Sequence, residues 1–187
     1  MATLVQRAIG AARLDVATYE EVEADPGALG QAMTVVVVAA LASGVGAATQ
    51  QGLGALGLVV SVVASLLGWF VWAGLVYVIG TKLLPAPDTK ADLGQLLRTT
   101  GFSAAPGVLA VASPVPVVGV LFVAAAGLWQ LATMVVAVRQ ALDYPSTGRA
   151  IAVCAIGFLA YVLIGVVLVA SCVGTLQGGG SGAGTIG

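Results

Sequence analysis

The chain has 187 residues, of which 59% are hydrophobic and 8% charged, and its formal net charge is −1. An ordinary soluble domain has about 25% charged residues, so this composition argues against a soluble globular enzyme, a nucleic-acid binder and a disordered chain. A mean hydropathy of +1.07 is instead typical of a protein whose surface faces lipid.

Residues 1–25 are predicted to form a short amphipathic segment on the cytoplasmic side. Apolar residues recur there every three to four positions, while Gln6, Arg7 and Arg13 lie off that stripe. Such a helix either lies on the membrane surface or packs on the cytoplasmic ends of the bundle. An acidic stretch at 20–25 separates it from the first apolar run, which argues against a signal peptide.

Two local signals predict the helix boundaries near this segment. Thr18 with Glu21 three residues later is typical of a capping box that opens a second short helix. Asp25 and Pro26 then predict the N-cap and the first residue of the first span.

Runs of about 20 apolar residues indicate transmembrane helices, and five such runs predict an all-α membrane domain at 26–175. They lie at 28–48, 53–79, 101–112, 116–138 and 150–173. The third run is short and contains Pro106. It either starts earlier, near Leu93, with Arg98 reaching the membrane surface, or is a re-entrant segment. The glycine-rich residues 176–187 are predicted to be a flexible tail.

The charged residues give an independent test of the five-span topology. With five crossings, all seven basic residues fall on one side of the membrane, and the eight acidic residues fall on the same side. The positive-inside rule then predicts a cytoplasmic N-terminus and an external C-terminus.

The inventory of reactive side chains is small. The chain contains no histidine and two cysteines, Cys154 and Cys172. The chain therefore lacks the residues that usually form zinc sites, haem sites and histidine-based catalytic triads. We predict no catalytic residue, no metal and no cofactor. Ser103 has no evident base to activate it. The predicted span interiors carry no Asp, Glu, Lys, Arg or His, which argues against energised transport.

Aromatic residues are placed unusually in the spans. Trp and Tyr are enriched at membrane interfaces, but here several lie near the middle of a predicted span, next to an amide side chain. One interpretation is a pocket within the membrane, and the other is a bundle core in which aromatic rings fill space. The residues concerned are Trp69, Trp72, Trp129, Gln130 and Tyr161.

Prolines and glycines mark the third span and the turn after it. Pro106 is expected to kink its helix, and Pro114 and Pro116 are expected to stiffen the outer turn. The stretches are Gly101-Phe102-Ser103-Ala104-Ala105-Pro106 and Pro116-Val117-Val118-Gly119.

This pattern resembles the Yip (Ypt-interacting protein) family in its bacterial branch, whose members have a Gly-aromatic-Ser-x-x-Pro-like element and a Pro-x-x-Gly turn. Trp129-Gln130-Leu131 and Ser146-Thr147-Gly148-Arg149-Ala150 resemble two further family patches. The resemblance implies a cytoplasmic N-terminal segment and five spans. Eukaryotic members bind Rab-type GTPases, but the long N-terminal region of those proteins has no counterpart here, so GTPase binding is not carried over.

The sequence is consistent with two functions. The first is a non-enzymatic scaffold or accessory subunit of a bacterial inner-membrane complex, with the bilayer and other membrane subunits as partners and no nucleic acid. The alternative is a passive channel or carrier for a small neutral or lipidic solute, because interrupted helices often form binding sites in transporters.

Overall fold

The computed structural model describes residues 2–50, 52, 54–87 and 89–179, and every regular element within them is helical. In chain order these elements are α1 (Leu4–Ala12), α2 (Val16–Ala24), α3 (Ala28–Gln50), α4 (Gly54–Val78), a π-helical turn (Ile79–Leu83), α5 (Leu93–Phe102), a 3₁₀ helix (Ala105–Ala112), α6 (Val118–Ala141) and α7 (Thr147–Gly179).

Four helices in the described residues are long and apolar enough to cross a membrane. The qualifying stretches are Ala28–Val45, Gly54–Leu83, Val118–Ala141 and Thr147–Leu168. They correspond to the first, second, fourth and fifth predicted spans. The third predicted span does not form a continuous helix of this kind.

Pro106 explains why the third run is interrupted. Proline lacks an N–H, and its ring clashes with the carbonyl four residues earlier. That residue is Phe102, where α5 ends. The chain continues after a turn as a 3₁₀ helix with Pro106 in its first turn. The expected kink is therefore a change of helix type, and the helix does start at Leu93. There Asp92 and Gln95 form a capping box.

The interrupted segment nonetheless runs along the bundle. Thr133 Oγ1 on α6 donates to the Ser103 carbonyl at 2.8 Å, and Gly119 at the other end of α6 lies against the Ala112 carbonyl. α6 is therefore antiparallel to α5 and the 3₁₀ helix. By length, about 1.5 Å per α-helical and 2.0 Å per 3₁₀ residue, the two pieces together rise about 31 Å.

The other helices follow the same alternation. Gly101 lies against Ala32 and Gly107 against Ala39, so α3 runs parallel to the interrupted segment. α4 and α7 are antiparallel, since Gly68 faces Tyr161 and Gly157 faces Trp72. Small residues also bring α3 and α4 together, where Ser61 Oγ donates to the Ala40 carbonyl at 2.8 Å.

The predicted boundaries near the N-terminus need correction. Thr18 does not cap α2, because Asp15 does so from three residues earlier, accepting from the Ala17 amide at 3.3 Å. The Thr18 hydroxyl donates to the other Asp15 carboxylate oxygen at 2.7 Å. α3 begins at Ala28, two residues after Pro26, although the Asp25 carboxylate still accepts from the Gly27 amide at 2.9 Å.

α1 and α2 form a hairpin that packs beside α6. Arg7, expected on the polar face of α1, is only 2% exposed, whereas Val5 is 60% and Ile9 47% exposed. The buried Tyr19 hydroxyl lies 3.2 Å from both the Ala11 and the Thr133 carbonyl oxygens. The hairpin is therefore packed on the bundle, and its apolar stripe is divided between the bundle and the outside.

The loops near Leu84 and Tyr144 meet at one end of the bundle, which we call the charged end. The buried Tyr144 hydroxyl lies 3.0 Å from the Gly80 carbonyl and 2.7 Å from that of Leu84, and so holds the π-helical turn. At the opposite end α7 continues to Gly179, so residues 176–179 of the predicted tail are helical. Residues 180–187 and the side chain of Cys172 lie outside the described part.

Candidate functional site

A cavity of about 420 Å³ lies within the bundle between α3, α4, α6, α7 and the interrupted segment. Its size is in the range typical of small-molecule sites. Its lining consists of Val36, Ala39, Ala40, Ser43, Ser65, Gly68, Trp69, Trp72, Thr100, Ala104, Gly107, Gly127, Gln130, Leu131, Met134, Phe158 and Tyr161. No side chain in this set is a carboxylate or a basic group.

Four of the five residues proposed from the sequence line this cavity together: Trp69, Trp72, Gln130 and Tyr161. They come from α4, α6 and α7, which meet at this level. The rings of Trp72 and Tyr161 contact edge to face with centroids 6.3 Å apart. The arrangement unites features of both earlier interpretations, because the rings pack as in a core and still leave a cavity.

Trp129 does not line the cavity. Its indole N–H donates to the Ala12 carbonyl at 2.7 Å, at the C-terminal end of α1. The side chain thus points out of α6 toward the N-terminal hairpin, and it satisfies a carbonyl that the end of the helix leaves open. The direction of the Trp129 side chain depends on a partner 117 residues away in sequence, so it could not be predicted from the residues around Trp129.

The other two indole groups already have partners. Trp69 Nε1 donates to Thr100 Oγ1 at 3.1 Å, and Trp72 Nε1 lies 3.1 Å from the Met134 sulfur. These bonds join α4 to α5 and α6 across the bundle. They hold the side chains of Trp69 and Trp72 in place in the cavity wall.

Three other polar side chains line the cavity differently. The Ser65 hydroxyl, the Gln130 amide and the Tyr161 hydroxyl have no hydrogen-bond partner among the described residues. Ser65 and Gln130 are half-buried, and Tyr161 is 38% exposed. These groups therefore provide unused donors and acceptors that face the cavity.

A glycine makes room for one of these groups. A Cβ at Gly68 would lie 2.5 Å from the Tyr161 hydroxyl oxygen, whereas one at Gly107 would be in ordinary contact with Gln130 Oε1 at 3.6 Å. At Gly101 a Cβ would be 2.7 Å from that of Ala32 and 3.0 Å from the Trp69 ring. Gly101, singled out from the sequence, thus lets α5 approach α3 and α4 behind the cavity wall.

The turn before α6 is tight and strained. Val117 has φ +63° and ψ −55°, and the Val118 amide donates to the Pro116 carbonyl at 2.7 Å. This is a γ-turn of the rare type, unusual for a β-branched residue. Pro114 and Pro116 lie just before Val117, as expected of a stiff turn. A Cβ at Gly119, just after the turn, would meet the backbone oxygens of Ala112 and Ser113 at 2.6 Å.

Arg7 organises the charged end beside the hairpin. Its guanidinium pairs with Glu21 at 2.9 Å and Asp25 at 2.8 Å, and it donates to the Gln31 side chain at 3.1 Å. The hydrogen bonds from Arg7 lower the pKa of both carboxyl groups. These contacts fix α1 to α2 and to the start of α3.

Arg98 does not reach the membrane surface as one hypothesis had it. It is 9% exposed and donates to the backbone carbonyls of Val22 and Glu23 at the end of α2. A cation there satisfies open carbonyls and complements the helix dipole. The sequence shows a charge next to an apolar run, but it does not show that another helix end lies above it.

Glu23 lies in the same region and predicts a dependence of stability on pH. Burial of its carboxyl, and then the nearby Asp143 carboxylate, raises the pKa of Glu23 to about 7. The folded chain therefore holds a proton between about pH 4.5 and 7 that the unfolded chain has released. Stability should fall as pH rises through this window, by on the order of 1 kcal/mol after a discount for solvent screening.

Thermal unfolding of the purified protein between about pH 2 and pH 8 measures this effect. Glu23→Gln should flatten the decline between pH 4.5 and 7, and Asp143→Asn should give an intermediate profile. Both variants should keep the loss at lower pH, which arises when Glu21 and Asp25 are protonated and their bonds to Arg7 weaken. An unchanged decline in Glu23→Gln would contradict the assignment.

The buried Ser103 hydroxyl donates to the Thr100 carbonyl at 2.7 Å, so it is engaged in the helix backbone. In the described ranges no three His, Cys, Asp or Glu residues group so that they could hold a metal ion. Neither finding indicates a catalytic or metal centre among the described residues.

Comparison with protein families decides the relationship that the proline and glycine pattern suggested. The Yip1 domain matches residues 15–168, a range that contains α2 to α6, the first two thirds of α7 and the whole cavity lining. The chain belongs to the Yip1 family. This family is membrane-associated and is not known for enzymatic activity. Comparisons with curated proteins and with solved structures found no significant match.

Proposed function

We propose that this Yip1 family protein is a non-enzymatic membrane protein that binds a small neutral or lipidic molecule in its cavity and serves as a passive carrier for it. The cavity is the observation that carries the proposal. It combines an apolar lining with the open polar groups of Ser65, Gln130 and Tyr161, which is the usual composition of a ligand site.

The lining also bears on what the ligand is. A charge in a site of this kind would need a counter-charge or a water path. The cavity walls contain neither a carboxylate nor a basic group. The ligand should therefore be uncharged.

A second proposal is a scaffold or accessory subunit in a larger membrane complex. It is supported by the large apolar side chains that α7 leaves exposed, among them Phe158, Leu159 and Leu163. Such a surface suits a neighbouring helix as well as lipid.

Native mass spectrometry of the gently solubilised protein tests both proposals. We expect one small uncharged molecule to remain bound at about one copy per chain. Reproducible copurification of other membrane proteins, with an empty cavity, would favour the scaffold. An empty chain without partners in several detergents would contradict both.

We further propose five crossings, with the N-terminus on the cytoplasmic side of a bacterial inner membrane. The antiparallel order of the segments supports this topology, and so does the length of the interrupted segment, which at about 31 Å matches the hydrocarbon thickness. All basic residues then lie on one side, as the positive-inside rule requires.

Cysteine labelling checks this topology in a background where Cys154 and Cys172 are serine. A membrane-impermeant reagent should label Lys90→Cys only in inside-out vesicles and Val115→Cys only from outside the cell. Labelling of both positions from the same side would mean that the interrupted segment does not cross.

A further inference from the structure

The cavity is closed toward the charged end and bordered by exposed residues at its side. Buried Leu142, Tyr144 and Val153 fill the space where α6 and α7 meet near the charged end. Farther along, the lining residues Leu131 on α6 and Phe158 on α7 are 61% and 57% exposed. A Cβ at Gly127, on the same stretch of α6, would meet nothing within 4 Å. The opening therefore lies between α6 and α7.

This opening lies at the depth of the hydrocarbon core. Gln130 is twelve residues from Leu142, and Tyr161 is twelve residues from Arg149. Twelve helical residues span about 18 Å, a little over half of the roughly 30 Å apolar thickness of a bilayer. A molecule that reaches the cavity through this opening comes from among the acyl chains.

The polar groups inside have the capacity to recognise an uncharged oxygen compound. Tyr161 and Ser65 each offer a hydroxyl that donates and accepts, and the Gln130 amide offers both functions. The indole N–H groups of Trp69 and Trp72 are already bonded, so these two side chains contribute apolar surface to the lining. The rings of Tyr161 and Trp72 pack edge to face, and the Tyr161 hydroxyl lies beside Gly68.

We infer that the cavity takes an uncharged membrane lipid, which enters sideways between α6 and α7 and places a carbonyl or hydroxyl oxygen against Tyr161 and Gln130. This inference rests on the proposed ligand-binding function and names its substrate class and route. Diacylglycerols and membrane quinones share this chemistry, a long apolar body with uncharged oxygens.

The test uses the full-length protein in phosphatidylcholine nanodiscs with a diacylglycerol that carries a photoactivatable acyl chain. Crosslinked peptides should map to the cavity walls around Gly127 and Phe158. Unlabelled dioleoylglycerol and a membrane quinone serve as separate competitors, so that the stronger one identifies the source. Anionic phosphatidylglycerol should compete at least tenfold less well than the better of the two.

Paired variants locate the site and its opening. Gly127→Phe should fill the opening and reduce labelling about tenfold. Gly165→Phe, on α7 outside the lining and equally free of neighbours, should label like the wild type. Tyr161→Phe and Gln130→Leu should each weaken competition about two- to tenfold, the usual effect of one lost hydrogen bond. Tyr77→Phe on α4, outside the lining, should not.

Several outcomes would overturn the inference. If Gly127→Phe is labelled as strongly as the wild type, the lateral site is contradicted. If phosphatidylglycerol competes as well as the uncharged lipids, the preference for an uncharged lipid is contradicted. Binding of a water-soluble neutral compound, lost in Tyr161→Phe, with no lipid labelling would leave the proposed ligand-binding function intact but exclude the lipid and its route. Absence of both kinds of binding would overturn the two proposals together.

Discussion

Replacement of Gly119 by alanine should destabilise the protein by about 3 kcal/mol, the upper end of the range for overpacking substitutions. The added methyl group would meet the Ala112 and Ser113 backbone oxygens at 2.6 Å, and backbone cannot rotate away as a side chain can. Relief would require α6 to separate from the end of the 3₁₀ helix. The strained turn at Val117 leaves little freedom for that movement.

The measurement is unfolding of the purified protein in mixed micelles, followed by helical circular dichroism. Gly74→Ala is the matched control, because a Cβ at Gly74 on α4 meets nothing within 4 Å. It should unfold like the wild type or slightly later. Equal stability of the two variants would mean that the close approach at Gly119 does not constrain the fold.

Arg98→Met should cost about 2–4 kcal/mol, because it removes charge-assisted hydrogen bonds to the carbonyls of Val22 and Glu23 and leaves buried acceptors open. Methionine keeps much of the apolar stem, so the loss reports the guanidinium. The N-terminal hairpin should detach before the bundle unfolds. Faster proteolysis within residues 1–25, at an unchanged helix content of the bundle, would be the first sign.

Arg13→Met controls for the loss of one positive charge. Arg13 lies at the surface at the C-terminal end of α1, and its replacement should change stability by less than about 0.5 kcal/mol. If both variants lose stability equally, net charge and not the bonding of Arg98 is the cause. If neither does, α2 is held mainly by Tyr19 and Arg7.

Long apolar runs were sufficient to predict the long helices. α3 starts at Ala28, where the first apolar run begins, and α4 ends one residue before the predicted end of the second span at 79. The local sequence determines such boundaries, because a helix in lipid requires a continuous apolar run with internal backbone hydrogen bonds. The start of α5 at Leu93 was predicted as an alternative, since its capping residues are also local.

Features that depend on distant partners were not predictable in the same way. Arg7 and Arg98 look like surface charges in the sequence and are buried, because the acids and carbonyls that satisfy them come from α2. The cavity residues share a level only because α4 and α7 pair around Gly68, and no spacing encodes that register. Trp129 has the same sequence character as Trp72 but faces the opposite side of the bundle.

The position of the N-terminal hairpin has a consequence for the surrounding bilayer. The end of α1 meets Trp129, thirteen residues and about 20 Å along α6 from Leu142, and the exposed Arg13 and Asp15 follow directly. On the α7 side, exposed apolar side chains extend to Ile151, near the charged end. Since ionised groups require water or headgroups, the membrane should be thinner beside the hairpin than beside α7, a mismatch that a lipid sheet relieves by local bending. We therefore expect the protein to favour membranes that are already thin or curved at its position.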